Sequence, residues 1–130
     1  MIHKDTEISL NLAYSEAARR EHEYVSVEHM LYALTFERKV QEALFACGVD
    51  IYDLRKDIET HFNAFFNETK KTQEKPPHPT VAFQRVVQRA VQHTLSSGKE
   101  LVDGVSLLIA LFGEQESFAV YFLEKRDVSR

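Results

Sequence analysis

Two histidine–glutamate pairs near the start of the chain could bind a metal. The stretch 22–34 reads HEYVSVEHMLYAL, in which His22-Glu23 and Glu28-His29 occur in opposite order. A zinc-dependent hydrolase uses H-E-x-x-H on one helical face, so that both imidazoles reach the same ion. Here Ser26 stands where that motif has its second histidine. The spacing places the two histidines on either side of a turn and favours local packing, with a metal-dependent hydrolase as the alternative.

Two further features resemble reactive motifs without matching them. Gly98-Lys99 could end a phosphate-binding loop, but that loop needs glycine where His93 stands and serine or threonine where Glu100 stands. Cys47 closes an apolar helical stripe, which predicts a buried and unreactive thiol. We therefore expect no metal, no cofactor and no catalytic residue in this chain, so that by itself it is not an enzyme.

Composition and charge limit the classes of partner. Of the 130 residues, 44% are apolar and 28% are charged, which is typical of one globular domain. The net charge of −4 disfavours nucleic acid, because phosphate binding requires a basic face. The N-terminus lacks a signal-peptide pattern, no apolar run could cross a bilayer, and the single cysteine fits a reducing compartment. These features predict a cytoplasmic protein without a membrane partner.

The sequence predicts helices along nearly the whole chain. Apolar side chains recur at helical spacing in seven segments. The residues expected to cap helix N-termini are Ser26, Asp50, Thr80 and Asp103. Gly48 follows the third segment, where a left-handed C-cap is expected. Residues 66–79 contain three prolines and no apolar period, so they are predicted to form a linker. We expect no β-sheet.

The two sides of that linker follow one plan. An offset of 77 positions aligns Ser26 with Asp103 and Leu31 with Leu108. The sequence therefore predicts an all-α fold in one domain, 1–130, with two pseudo-twofold repeats of four helices around one core, about 1–65 and 80–130. An eighth helix is expected to begin at Ser129 and to be truncated. The predicted core consists of Leu10, Ala13, Leu31, Leu34, Leu44, Leu54, Val87, Ala90, Leu108, Leu111 and Leu123.

A ridge of basic groups runs down the fifth helix, because Arg85, Arg89 and His93 are spaced four residues apart. Glu23 and Glu28 bracket the turn before the second helix. Two interpretations stay open. The ridge is either solvated or neutralised by acids of the same chain, or it belongs to a mixed-charge docking surface whose charges set specificity and encounter rate.

The doubled helical plan and several segments resemble the N-terminal domain of Clp unfoldases. HEYVSVEHMLYAL and SSGKELVDGVSLLIALF carry the resemblance to the family, whereas FQRVVQRAVQH, GEQESFAVYFL and DVSR are similar to its ClpA branch. The resemblance covers essentially the whole chain and is weakest in the linker. The second repeat has Val105-Ser106 where ClpC and ClpB relatives carry a glutamate–histidine pair, which favours the ClpA branch.

This resemblance implies a docking function. In the ClpA branch the domain is tethered to a hexameric AAA+ ring that works with the protease ClpP. It binds the adaptor ClpS, which delivers N-degron substrates, and contacts some protein substrates directly. ATP would bind only to the AAA+ modules, which this sequence lacks. The alternative is a direct substrate-binding domain of the ClpC or ClpB type, which uses an apolar groove. The residues that match the family's adaptor surface are Glu23, Glu28, Thr80, Arg85, Arg89 and Arg130.

Overall fold

Within residues 2–65 and 76–129, which the computed structural model describes, the chain forms seven α-helices, and the predicted all-α class is confirmed. The helices are α1 (Lys4–Arg19), α2 (Val27–Leu34), α3 (Arg38–Ala46), α4 (Ile51–Phe65), α5 (Val81–Ser96), α6 (Gly104–Leu111) and α7 (Phe118–Glu124). In these two ranges no helix combines the length and the apolar character needed to cross a membrane.

The predicted helix caps are confirmed. The residues whose side-chain oxygen accepts a backbone N–H three positions further on are Ser26, Asp50, Thr80 and Asp103. Gly48 lies just beyond the C-cap of α3 with φ of +81°, a left-handed conformation that residues with a side chain rarely adopt. Because each N-cap satisfies a donor that the helix leaves unpaired, these residues determine where the helices begin.

The prediction that the chain has no β-sheet is wrong at two dipeptides. β1 (Tyr24–Val25) and β2 (His78–Pro79) form a parallel pair, with the first residue of each strand opposite that of the other. The backbone that leads into an N-cap is extended. The segments that precede α2 and α5 lie side by side and therefore form this strand pair. Two residues per strand do not alter the helical class.

Backbone bonds across the molecule reproduce the predicted repeat. Thr80 N–H donates to the carbonyl of Val25 at 3.0 Å, and His3 N–H donates to the carbonyl of Val102 at 2.8 Å. The offset of 77 positions aligns His3 with Thr80 and Val25 with Val102, so the two bonds are equivalent, with donor and acceptor coming from opposite halves. The residue before the first helix of each half is therefore hydrogen-bonded to the segment before the second helix of the other half. These two bonds hold the repeats together.

Both halves contribute to one core. The predicted core residues that are buried are Ala13, Leu31, Leu34, Leu44, Leu54, Ala90, Leu108, Leu111 and Leu123. The prediction is wrong for Leu10 and Val87, which are only half-buried because they lie at the margins of the buried faces of α1 and α5. Cys47 is exposed rather than buried, because it is the C-cap of α3 and lies beyond the last buried residue of that helix, Leu44.

Two predictions fall largely outside the described residues. Residues 66–75, most of the predicted linker, are not among them. The predicted eighth helix would begin at Ser129, where the described range ends. The linker, the eighth helix and the boundaries of the two repeats therefore stay predictions.

Candidate docking site

Three of the predicted site residues line one surface depression. Glu28, Thr80 and Arg85 contribute to a cavity of about 670 Å³ between the N-termini of α2 and α5 and the loop that joins α6 to α7. We call it the α2–α5–α7 depression. Glu23 is exposed just before β1, and its carbonyl accepts the N–H of His78 at 3.1 Å. Arg89 lies one turn along α5 from Arg85.

Arg130, the sixth predicted site residue, lies outside the described residues. Its predicted role in partner binding therefore stays a prediction.

Thr80 has a local role in forming the wall of the depression. Its hydroxyl oxygen accepts the N–H of Phe83 at 3.1 Å and so caps α5. Its own N–H donates to Val25 in the first repeat. The residue fixes the N-terminus of α5 against β1, and with it the position of Arg85 one turn further on.

Glu28 is a buried carboxylate rather than a surface charge. It lies in the first turn of α2, as predicted, but its side chain is turned towards the second repeat. Only 8% of the residue is exposed, and Oε2 accepts the N–H of Ala119 at 3.1 Å. Ala119 lies in the first turn of α7, so the carboxylate satisfies a donor that this helix leaves unpaired. Glu28, which lines the depression, therefore joins α2 to the start of α7.

Arg85 and Arg89 share one buried acid, Glu114, which follows α6. Arg85 donates from Nη2 to Glu114 Oε1 at 2.6 Å and from Nε to Oε2 at 3.3 Å, and Arg89 Nη2 donates to Oε2 at 2.9 Å. The glutamate side chain is 8% exposed. The hydrogen bond from Arg85 is the main reason that the pKa of Glu114 lies below its usual value. We call these three residues the arginine–glutamate cluster.

The predicted ridge is thus neutralised in part by an acid of the same chain, as the first of the two interpretations expects. His93, the third member of the ridge, is exposed and lies two turns beyond Arg85 on α5. Because Arg85 also lines the depression, the same geometry leaves it accessible to a partner. The two interpretations are therefore not exclusive.

Glu114 is the site residue that the sequence analysis missed, although the repeat held a signal for it. The offset of 77 positions places Glu114 on Glu37, which is also 8% exposed. Glu37 accepts a hydrogen bond from Ser9 Oγ at 2.8 Å and from the N–H of Gly104 at 3.1 Å. An acid stands at the same place in both repeats, and each accepts hydrogen bonds from the first helix of its own repeat. This indicates a buried acceptor rather than a solvated charge.

In the structure the two histidines of the histidine–glutamate pairs contact each other, and the two glutamates lie elsewhere. His22 Nδ1 lies 2.8 Å from His29 Nε2, and both rings are buried. The N–H of Ser26 donates to His29 Nδ1 at 2.9 Å, so the proton of that ring is on Nε2 and is donated to His22. Glu23 is exposed and Glu28 bonds α7, so the four residues do not converge. Within residues 2–65 and 76–129, no three side chains of metal-ligating type are grouped to hold an ion.

Acid should destabilise the domain through His29. Burial lowers the pKa of His29 to about 3 from an ordinary value of 6.5. Between these values the unfolded chain binds a proton that the folded chain excludes, so we expect His29 to contribute a loss of about 1.4 kcal/mol per unit as pH falls below 6.5. Urea denaturation at pH 7, 6 and 5, with the His29 ring followed by NMR, measures both quantities. A His29 ring that titrates near 6.5 in the folded domain would contradict the expectation.

The fold matches solved Clp-type N-terminal domains. The TM-score is 0.80 to the Hsp104 N-terminal domain from Candida albicans, with 15% identity over 98% of this chain and 83% of that one. It is 0.80 to the N-domain of ClpV from Vibrio cholerae, with 16% identity over 97% of this chain and 78% of that one. At these identities the likeness shows the fold alone.

Sequence similarity shows the family. Residues 1–126 match the Clp repeat (R) N-terminal domain, and the chain belongs to that family. It is also similar to a ClpA homolog protein from Fuscovulum blasticum, with 38% identity over 125 residues. That match covers 95% of this chain but only 16% of the relative.

Proposed function

We propose that this chain is the adaptor- and substrate-docking domain of a ClpA-type regulatory subunit in the cytoplasm. In this proposal it binds a ClpS-type adaptor that brings N-degron substrates. The remainder of the parent protein forms the ATP-dependent hexameric ring and works with ClpP. The observation that carries the proposal is the α2–α5–α7 depression, where Glu28, Thr80 and Arg85 lie together although they come from different repeats.

The depression has the mixed character of a protein-binding surface. Phe118, with 44% of its surface exposed, supplies apolar area beside the charged groups. The side chain of Arg85 is 54% exposed and is oriented by Glu114. Glu23 adds an exposed acid three residues before Ser26, which lines the depression. A partner that presents charges of opposite sign would meet groups already fixed by the fold, which favours fast and specific association.

Charge reversal at the two exposed members of the surface tests the proposal. Arg85→Glu and Glu23→Lys should each weaken binding of a ClpS-type adaptor by about tenfold or more, because like charges would then face each other across the interface. Calorimetric titration of the purified domain with the adaptor measures this loss. Binding of the unaltered domain should also weaken between low and high salt.

Arg38→Glu is the matched control, because Arg38 is an exposed arginine that is likewise paired with a glutamate, Glu42. It lies on α3, away from the depression, and should leave adaptor binding unchanged. Adaptor binding that is absent from the unaltered domain would end the proposal. If the adaptor binds Arg85→Glu and Glu23→Lys as tightly as the unaltered domain, the adaptor contacts a surface other than the depression.

A second candidate function is direct binding of substrates, as in the ClpC and ClpB branch. A depression of about 770 Å³ between α3 and α4 supports it. Phe45 and Tyr52 line this depression and are 80% and 78% exposed. Arg55 stacks on the ring of Phe36 at 3.9 Å and lies 5.4 Å from that of Tyr52. Binding through this apolar surface would change little with salt, which separates it from docking through charges.

A further inference from the structure

The two arginines of the arginine–glutamate cluster are held in different ways. Arg89 donates to Glu114 and, from Nη1, to the carbonyl of Ala110 at 2.7 Å. That carbonyl belongs to the last turn of α6, where a cation also complements the helix dipole. The guanidinium lies against the backbone of Gly113, in space that the Cβ of any other residue would occupy. The side chain of Arg89 is therefore fixed against the C-terminal end of α6.

Arg85 makes its side-chain hydrogen bonds with Glu114 alone within the described residues. It uses Nε and Nη2 for that carboxylate, in the bidentate geometry that fixes a guanidinium plane. Its Nη1 donors make no hydrogen bond within residues 2–65 and 76–129. The side chain is 54% exposed, against 39% for Arg89, and it is the arginine that lines the α2–α5–α7 depression.

The charges of the cluster limit what can bind there. Glu114 carries one negative charge between two positive ones, so the cluster as a whole retains a single positive charge. Glu28 also lies on the lining of the depression, and its charge is committed to the N-terminus of α7. One carboxylate of a partner can therefore be neutralised by the outward donors of Arg85, whereas a second would face the acids of this chain unpaired.

We propose that Glu114 is a positioning residue that makes Arg85 the one cation offered to a carboxylate of the partner, while Arg89 serves the fold. This inference rests on the proposed docking function and assigns the roles within it. The fixed plane of Arg85 reduces the side-chain freedom lost on binding, because the carboxylate of Glu114 already restricts it. The specificity of the surface for an acidic group then resides in Arg85 and not in the whole ridge.

A double-mutant cycle tests the assignment. Affinity for a ClpS-type adaptor is measured for the unaltered domain, Arg85→Gln, Glu114→Gln and the double variant. Arg85→Gln should weaken binding about tenfold or more in the unaltered background. In the Glu114→Gln background the same change should cost at least about threefold less, because Arg85 is no longer oriented there. A purely structural role for Glu114 would give the same fold-loss in both backgrounds.

Two further variants keep the test decisive if Glu114→Gln does not fold. Arg85→Lys retains the charge but loses the bidentate fork, and it should weaken binding about threefold or more. Arg89→Gln should lower the melting temperature more than Arg85→Gln does while weakening binding less. Full affinity for Arg85→Lys, or a larger affinity loss for Arg89→Gln than for Arg85→Gln, overturns the inference. Absence of adaptor binding by the unaltered domain overturns the docking function as well, so the two failures are distinguishable.

Discussion

Replacing Leu31 with alanine should lower the free energy of unfolding by about 2–5 kcal/mol. Leu31 is fully buried in α2 and belongs to the core that the two repeats share. Removal of the three carbon atoms beyond Cβ loses their transfer free energy and leaves a cavity that packed neighbours fill only in part. Chemical denaturation followed by far-ultraviolet circular dichroism measures the change.

The repeat supplies a matched comparison for this variant. Leu108 stands at the equivalent position of α6 and is 5% exposed, so Leu108→Ala should fall in the same range. Leu95 on α5 is 58% exposed, and Leu95→Ala should change stability by less than about 0.5 kcal/mol. Losses below that value at both Leu31 and Leu108 would mean that these helices bury a different face.

Local patterns were sufficient to predict the helices of the described residues. An N-cap such as Asp103 acts on N–H groups within three residues, and an apolar stripe is read within one helix, so both signals lie in short windows. The prediction that Cys47 is buried is wrong because the apolar stripe does not show where the helix ends. The stripe from Val40 continues in register to Cys47, but the helix ends at Ala46 and the final position is exposed.

Local sequence identifies the charged residues of the candidate site but does not predict which of them the fold buries. Arg85 and Arg89 lie 29 and 25 residues from Glu114, and Glu28 lies 91 residues from the N–H that it binds. No window of local sequence contains such pairs. Only the internal repeat carries information over these distances, and it aligns Glu37 with Glu114. The exposure of Arg85 and the burial of Glu28 depend on how the two repeats pack.

The distinction between buried and exposed acids changes how the docking surface should be tested. From the sequence, Glu23 and Glu28 are equivalent acids on either side of a turn, and reversal of either would be expected to affect binding alone. In the structure only Glu23 is exposed. A loss of binding in a Glu28 variant would therefore combine a lost contact with a displaced α7, whereas Arg85 and Glu23 report on the surface itself.

Glu28→Lys should destabilise the domain by about 3 kcal/mol or more. The substitution places a cation in a site that is 8% exposed and opposite the N–H of Ala119, so a buried charge and a buried donor both lose their partner. The positive end of the α7 dipole adds to the penalty. Chemical denaturation at neutral pH measures the loss.

Two companion variants separate charge from shape at this position. Glu28→Gln keeps an acceptor oxygen for Ala119 and should cost less than Glu28→Lys, about 1–3 kcal/mol, because only the charge assistance to that hydrogen bond is removed. Glu23→Lys makes the same charge reversal five residues earlier on an exposed side chain and should stay within about 0.5 kcal/mol. If Glu28→Lys were as stable as Glu23→Lys, the carboxylate would not be holding α7. The start of α7 would then be free to move independently of α2, and Glu28 would be available to a partner.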